Sequence, residues 1–202
     1  MTEKLIIIGL TGSIGMGKSE TAKMFARAGV PVFDSDAAVH RLMAKDGAAV
    51  ARVEAAFPGV SGEDGVDRNR LGARVFGDGA ALKRLEAILH PMVSDMRREF
   101  FSQAYEQGRD MVLLDVPLLF ETGGETLCDY TVVVSAPAEV QRQRVLSRPG
   151  MTVEKFENIL AKQMTDHEKC ARADFIVQTD RGLRYAEDQV REIIAAIKSP
   201  SE

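Results

Sequence analysis

At 202 residues the chain has room for one domain with an elaborated insertion, or for two small ones. A formal net charge of -4 and a pI near 5.5 argue against a nonspecific nucleic-acid binder, which is ordinarily basic. The two cysteines, Cys128 and Cys170, give neither a metal-ligand spacing nor a disulfide framework and suit a reducing cytosol. No apolar run approaches the roughly 20 residues that span a bilayer, and Met1-Thr2-Glu3-Lys4 leads straight into a strand. No membrane contact and no cleaved leader are therefore expected, and the expected location is cytoplasmic.

The first strand, Leu5-Ile6-Ile7-Ile8, runs into Gly12-Ser13-Ile14-Gly15-Met16-Gly17-Lys18-Ser19, and a helix begins with Glu20-Thr21-Ala22. Strand, glycine turn and helix are the context that gives G-x-x-x-x-G-K-[ST] its meaning as a phosphate-binding loop. Glycines at 12, 15 and 17 let successive N–H groups turn inward around a polyphosphate, at the positive end of the helix dipole. Lys18 reaches the β and γ phosphates as a mobile charge, and the Ser19 hydroxyl suits the Mg²⁺ that accompanies ATP. Residues 12–20 are thus the expected ATP site. A dinucleotide fold is disfavoured, because the G-x-G-x-x-G order is absent.

The first helix is expected to bury Thr21, Met24, Phe25 and Ala28 and to stop at Gly29. Val30-Pro31-Val32-Phe33 then forms a strand ending in Asp34-Ser35-Asp36. Carboxylates at the carboxyl end of a parallel strand lie where such sheets bind ligands. Asp36 can cap the following helix, whereas no helix start accounts for Asp34, which is read as functional. Residues 36–107 read as helical, broken at Phe57-Pro58-Gly59 and by the polar stretch 61–69. A long span from about Ala80 carries Leu82, Leu85, Ile88 and Leu89 on one face, and Pro91 interrupts it after His90. This is far more helix than a crossover needs, so it is read as an inserted subdomain for a second substrate.

Met111-Val112-Leu113-Leu114-Asp115 is a buried strand ending in an acid suited to hold Mg²⁺. Val116-Pro117-Leu118-Leu119-Phe120-Glu121 continues it. After the strand at Tyr130-Thr131-Val132-Val133-Val134, a helix places Gln141, Arg144 and Arg148 on one face, where arginines can clamp a transferring phosphoryl group. Thr152 is expected to cap a helix to about Lys162, and a second runs from Thr165 to Ala171; together they read as a lid. Ala173-Asp174-Phe175-Ile176-Val177 is the last strand, and Leu183, Ala186, Val190, Ile193, Ile194 and Ile197 form the stripe of a final helix. Strands alternating with helices predict an α/β, doubly wound parallel sheet.

With these pieces placed, the chain resembles the dephospho-CoA kinase family along nearly its whole length. The likeness rests on the loop at 9–19, Gly29 to Asp36, Leu89-His90-Pro91, Asp115 to Glu121, Gln141 to Arg148, Gln163, and Ala171-Arg172-Ala173-Asp174. It implies a P-loop kinase fold related to nucleoside monophosphate kinases, with a five-stranded core at 1–36, 109–140 and 173–202. It further implies a helical CoA-binding subdomain at 37–108 and a lid at 141–172. The implied reaction moves the γ-phosphoryl group of ATP to the ribose 3′-hydroxyl of dephospho-CoA, with Mg²⁺ as cofactor. By position, Asp34 resembles the residue that orients or deprotonates that hydroxyl, and Arg144 or Arg148 a lid arginine. Asp34, Asp36, His90, Asp115, Leu118 and Glu121 would line the acceptor pocket. Departures from the pattern are Ser35, Ile159 and Cys170, the last two where the family commonly has basic residues. Small-molecule substrates, no nucleic acid and a monomer are expected. The rival readings are a kinase for another small alcohol or a monophosphate, and a nucleotide-dependent switch; no Asn-Lys-x-Asp guanine motif supports the latter.

Overall fold

A computed structural model of the chain describes residues 4–199. Strands β1 (Ile6–Thr11), β2 (Val32–Asp34), β5 (Met111–Asp115), β6 (Tyr130–Ser135) and β7 (Phe175–Gln178) form one parallel sheet in the order β2-β5-β1-β6-β7. The expected five-stranded, doubly wound α/β core is therefore present. Central strand β1 pairs Leu10 with Asp115 on one side and with Val132 on the other, so the carboxyl ends of β1 and β5 are in register.

Two compact units divide the chain, Met1–Phe33 with Ala104–Glu202, and Asp34–Gln103. In the larger unit, α1 (Lys18–Arg27) and α9 (Leu183–Lys198) pack together, and Phe25, Ile8, Leu10, Val132, Val177 and Val190 share one buried cluster. Full burial of a side chain the size of Phe25 contributes about 1.5–3 kcal/mol. On the opposite pleat, Gly9 lies so close to Leu119 and Cys128 that a Cβ there would stand 2.8 and 2.6 Å from their side chains. Helices α6 (Ala138–Leu146), α7 (Val153–Leu160) and α8 (Asp166–Arg172) connect β6 to β7 and cluster with this unit. As expected, Thr152 caps α7, accepting from the Lys155 N–H at 3.2 Å. Thr165 and Glu168 close a reciprocal capping box on α8.

The smaller unit holds α2 (Ser35–Met43), α3 (Val50–Ala56), α4 (Arg68–Val75) and most of α5 (Gly79–Glu106) around Leu42, Val53, Phe57, Leu71, Leu85 and Leu89. The polar stretch at 61–69 is not simply a break: β3 (Ser61–Gly62) and β4 (Gly65–Val66) form a small hairpin. Its approach is fixed by Glu54, whose carboxylate accepts from the Gly59 and Ser61 N–H groups at 2.7 and 2.8 Å. Asp67 then caps α4.

Several sequence expectations are corrected. Helix α5 continues through Pro91; both Pro91 and Ala87, the residue whose carbonyl loses its partner, are exposed, so water can replace that bond. Ala28 is exposed at the end of α1, and Ala22 takes its place in the core. Leu82 and Leu183 lie 44% and 66% exposed in the first turns of α5 and α9, and Ala81 is the buried residue at the start of α5. Helix α2 begins at Ser35, two residues earlier than expected, so Asp34 is its cap: Oδ1 accepts from the Ala37 N–H at 2.9 Å. Asp36 lies inside the first turn.

Candidate active site

Gly12 leaves β1 where no side chain fits. A Cβ there would stand 2.2 Å from Val134 Cγ2 and 2.9 Å from the Val134 carbonyl, so the loop rests directly on β6. Gly17 is the N-cap of α1 in a left-handed conformation, φ 98°, which points the first amides of the helix out of its mouth. Between them, the Met16 N–H donates to the Ser13 carbonyl at 3.1 Å and tightens the loop.

Long-range bonds then pin the loop on both sides. The Ile14 N–H donates to Gln163 Oε1 at 3.1 Å, and the Ile14 carbonyl accepts from Gln141 Nε2 at 2.8 Å. The Met16 carbonyl accepts from Thr179 Oγ1 at 2.7 Å. Before the loop, Thr11 Oγ1 donates to the Pro117 carbonyl at 2.9 Å and the Val116 N–H to the Leu10 carbonyl at 3.0 Å, joining the ends of β1 and β5.

At the loop's exit Lys18 forms an ion pair with Asp115, which is 4% exposed. The sequence named both residues separately; the fold brings them into direct contact. Ser19 follows in the first turn of α1 and is exposed. A hydroxyl and a carboxylate are hard oxygen donors suited to Mg²⁺, which ordinarily keeps few protein ligands and fills its octahedron with phosphate oxygens and water. Among the described residues no group of three or more His, Cys, Asp or Glu side chains is gathered to hold a metal.

Arg144, one of the two expected lid arginines, is held by several bonds of its own. Its guanidinium donates to Thr179 Oγ1 at 3.0 Å, to the Thr179 carbonyl at 2.7 Å and to the Gly15 carbonyl at 3.4 Å. It therefore braces the back of the loop against the turn after β7. Arg144, Arg148, Gly15, Gly17, Thr179 and Leu183 line a pocket of about 330 Å³. Arg148, beyond the end of α6, is exposed.

Leu118 is 39% exposed. Glu121 faces inward, its Oε1 accepting from Lys169 Nζ at 2.9 Å and from the Met164 N–H at 2.8 Å. Burial pushes the Glu121 carboxyl up, but the bonds from Lys169 and Met164 and the ammonium charge outweigh it, leaving the group below its usual value of 4.5. In the smaller unit, Asp34, Asp36 and His90 are all exposed, the first two at the start of α2 and the last on α5.

Thr179 and Lys169 were not singled out by sequence. Thr179 follows a parallel strand directly, and the rule that drew notice to Asp34 and Asp115 could have found it. Lys169, buried at 0% exposure, pairs across 48 positions with Glu121, and nothing local signals that.

The parallel sheet, the glycine cradle at the mouth of α1 and the Lys18–Asp115 pair define a P-loop kinase. A family model described as Dephospho-CoA kinase matches residues 6–184. A Dephospho-CoA kinase of Mesorhizobium japonicum is 59% identical over 96% of this chain and 98% of its own, and one of Novosphingobium aromaticivorans is 56% identical over 95% and 94%. A crystal structure from Thermus thermophilus is 34% identical, covers 98% of this chain and 99% of its own, and superposes with a TM-score of 0.82. A Campylobacter jejuni dephospho-CoA kinase structure, at 22% identity and 95% and 96% coverage, shares the fold with a TM-score of 0.64. The chain belongs to the dephospho-CoA kinase family.

Proposed function

We propose that this protein transfers the γ-phosphoryl group of ATP to the ribose 3′-hydroxyl of dephospho-CoA, giving coenzyme A and ADP. The single observation carrying the donor half is the Lys18–Asp115 pair at the mouth of the glycine cradle. It keeps the lysine, at 16% side-chain exposure, where the terminal phosphates would enter. Near full-length similarity to dephospho-CoA kinases carries the acceptor half.

The inward amides after Gly12 grip the polyphosphate, and Lys18 exchanges its carboxylate partner for the β and γ phosphates. Ser19 and Asp115 would hold Mg²⁺, which would supply positive charge against the phosphates. The pocket beside Gly15 and Gly17, walled by Arg144 and Leu183, has the size and mainly apolar lining to take the nucleobase. The acceptor oxygen bonds to the γ-phosphorus as the bond to the bridging oxygen breaks; the hydroxyl proton passes to Asp34. A loose transition state asks little basicity of that carboxylate, so a capping aspartate at a strand end can serve. Asp36, His90, Leu118 and Glu121 are assigned to the acceptor side, with residues 37–108 as the CoA-binding part. Residues 141–172 act as a lid that excludes water, and Arg148, which does not brace the loop, is the better candidate to meet transferred charge. The site of action is the cytoplasm, on small molecules alone, as a monomer.

The test is a coupled assay with ATP, Mg²⁺ and either dephospho-CoA or a panel of nucleoside monophosphates, shikimate included as an unrelated alcohol. Formation of the 3′-phosphate of dephospho-CoA is expected at a kcat/KM at least about a hundredfold above the others. Equal turnover of a monophosphate would overturn the acceptor assignment while leaving the donor site intact.

A further inference from the structure

The lid segment is tied to the phosphate loop by a closed ring of polar contacts, and its one buried cation belongs to no step described so far. Lys169 on α8 is wholly buried, with Nζ 2.9 Å from Glu121 Oε1 and 3.3 Å from the Pro117 carbonyl. That same carbonyl accepts from Thr11, the residue before Gly12. Glu121 Oε1 also accepts from the Met164 N–H, and the neighbouring residue, Gln163, takes the Ile14 N–H. The path runs Thr11, Pro117, Lys169, Glu121, Met164, Gln163, Ile14. It starts at one end of the loop and returns to its shoulder.

We propose that Lys169 is a positioning residue for the phosphoryl transfer, acting through Glu121 to hold Gln163 on Ile14 and so to preset the phosphate loop before nucleotide arrives. Both peptide groups of Ile14 are already committed, to Gln163 and Gln141. This corner of the loop is therefore shaped by protein, leaving the amides nearer α1 for the ligand. A glycine-rich loop is intrinsically loose, and ordering it on binding would be subtracted from nucleotide affinity. An ammonium buried against one carboxylate oxygen and one carbonyl fixes the Gln163 segment more sharply than apolar packing does, because any slip strands a buried charge. Glu121 Oε2 is itself buried without a hydrogen-bond partner, so the Oε1 contacts alone hold this carboxylate.

This inference rests on the donor half of the proposed reaction, and its test can fail separately from the acceptor half. ATP affinity is measured by titration calorimetry without acceptor, alongside kinetics and melting temperature, for Lys169→Met, Lys169→Arg and Gln163→Leu. Lys169→Met is expected to weaken ATP binding about tenfold or more and to lower kcat, with KM for the acceptor unchanged. Lys169→Arg should restore most of both. Gln163→Leu should reproduce the binding defect with little loss of melting temperature, and the double variant should be no worse than the poorer single, since both act on one contact. If Lys169→Met does not fold, Glu121→Gln with Lys169→Met removes both charges together and is read by ATP affinity and melting temperature without the acceptor KM, because Glu121 is also assigned to the acceptor side. A lower melting temperature with ATP affinity unchanged in the foldable Lys169 variant and in Gln163→Leu would overturn the proposal. So would additive defects in the double variant.

Discussion

The phosphate loop and the residues of the smaller unit proposed for the acceptor are held in opposite ways. Gln141, Gln163, Thr179, Arg144 and Pro117 reach the loop or its flanks from positions about a hundred or more away in sequence. Asp34, by contrast, is held by a cap bond to Ala37, three positions on, and Asp36 and His90 stand exposed on helices α2 and α5. The phosphate loop is preorganised by tertiary structure, whereas the residues proposed for the acceptor stand on locally stabilised helices. Electrostatic preorganisation is worth most where charge develops and least can be lost to reorganisation, which is the phosphate side of this reaction.

The strongest way to break that contrast is Lys18→Ala. It removes the mobile charge and leaves the 4%-exposed Asp115 without this partner. Loss of turnover of about 10³-fold, with ATP affinity falling as well, is expected from steady-state kinetics and calorimetry. An enzyme that kept either near wild type would mean that the donor site is not built around this pair.

Asp34→Asn is next and separates chemistry from structure. Asparagine caps a helix as well as aspartate does, so melting temperature should stay within about a degree or two of wild type. Turnover should nevertheless fall about 10²-fold, with ATP affinity unaltered. Asp34→Ala should add loss of the cap, about 1 kcal/mol. Near-normal turnover of Asp34→Asn would reduce Asp34 to a helix cap.

How much of this was legible in sequence follows the same division. The loop, the strand-end acids, the five strands and the Thr152 cap are signalled by residues within a few positions of one another, and local physics decides them. What sequence missed depended on tertiary context. Leu82 and Leu183 continue an apolar stripe yet lie exposed in first turns, and in α5 it is the neighbouring Ala81 that meets the core. The hairpin at Ser61–Val66 has two-residue strands, too short for any alternation to show. Asp34 and Asp36 are both good caps, and only the start of α2 at Ser35 chooses between them. Sequence places Arg144 on a helix face but gives no sign of its bonds to Thr179, 35 positions on. The Glu121–Lys169 pair is the extreme case, since a lone lysine in a polar helix is ordinarily solvated.

That pair also supplies the smallest of the expected effects, and the one that best sharpens the contrast, because it titrates only on the tertiary side. The Glu121 carboxyl lies below its ordinary 4.5 in the folded chain: burial raises it, and the bonds from Lys169 and the Met164 N–H lower it by more. A carboxyl lowered on folding contributes stability that is complete above its unfolded value and is lost as pH falls through the folded one. Wild type should therefore lose melting temperature progressively below about pH 4.5 from this source. Glu121→Gln cannot titrate; it should melt lower than wild type at pH 7, and the gap should narrow as the pH drops through that window. Melting curves of the two proteins between pH 3.5 and 7 at fixed ionic strength make the comparison. A gap that stayed constant or widened in acid would mean that the folded carboxyl is not lowered, and that Lys169 does not hold Glu121 as an ion pair in solution. The ring around the phosphate loop would then lack its charged link, and the preorganisation of the loop would have to come from Gln141, Arg144, Thr179 and the Thr11–Pro117 bond.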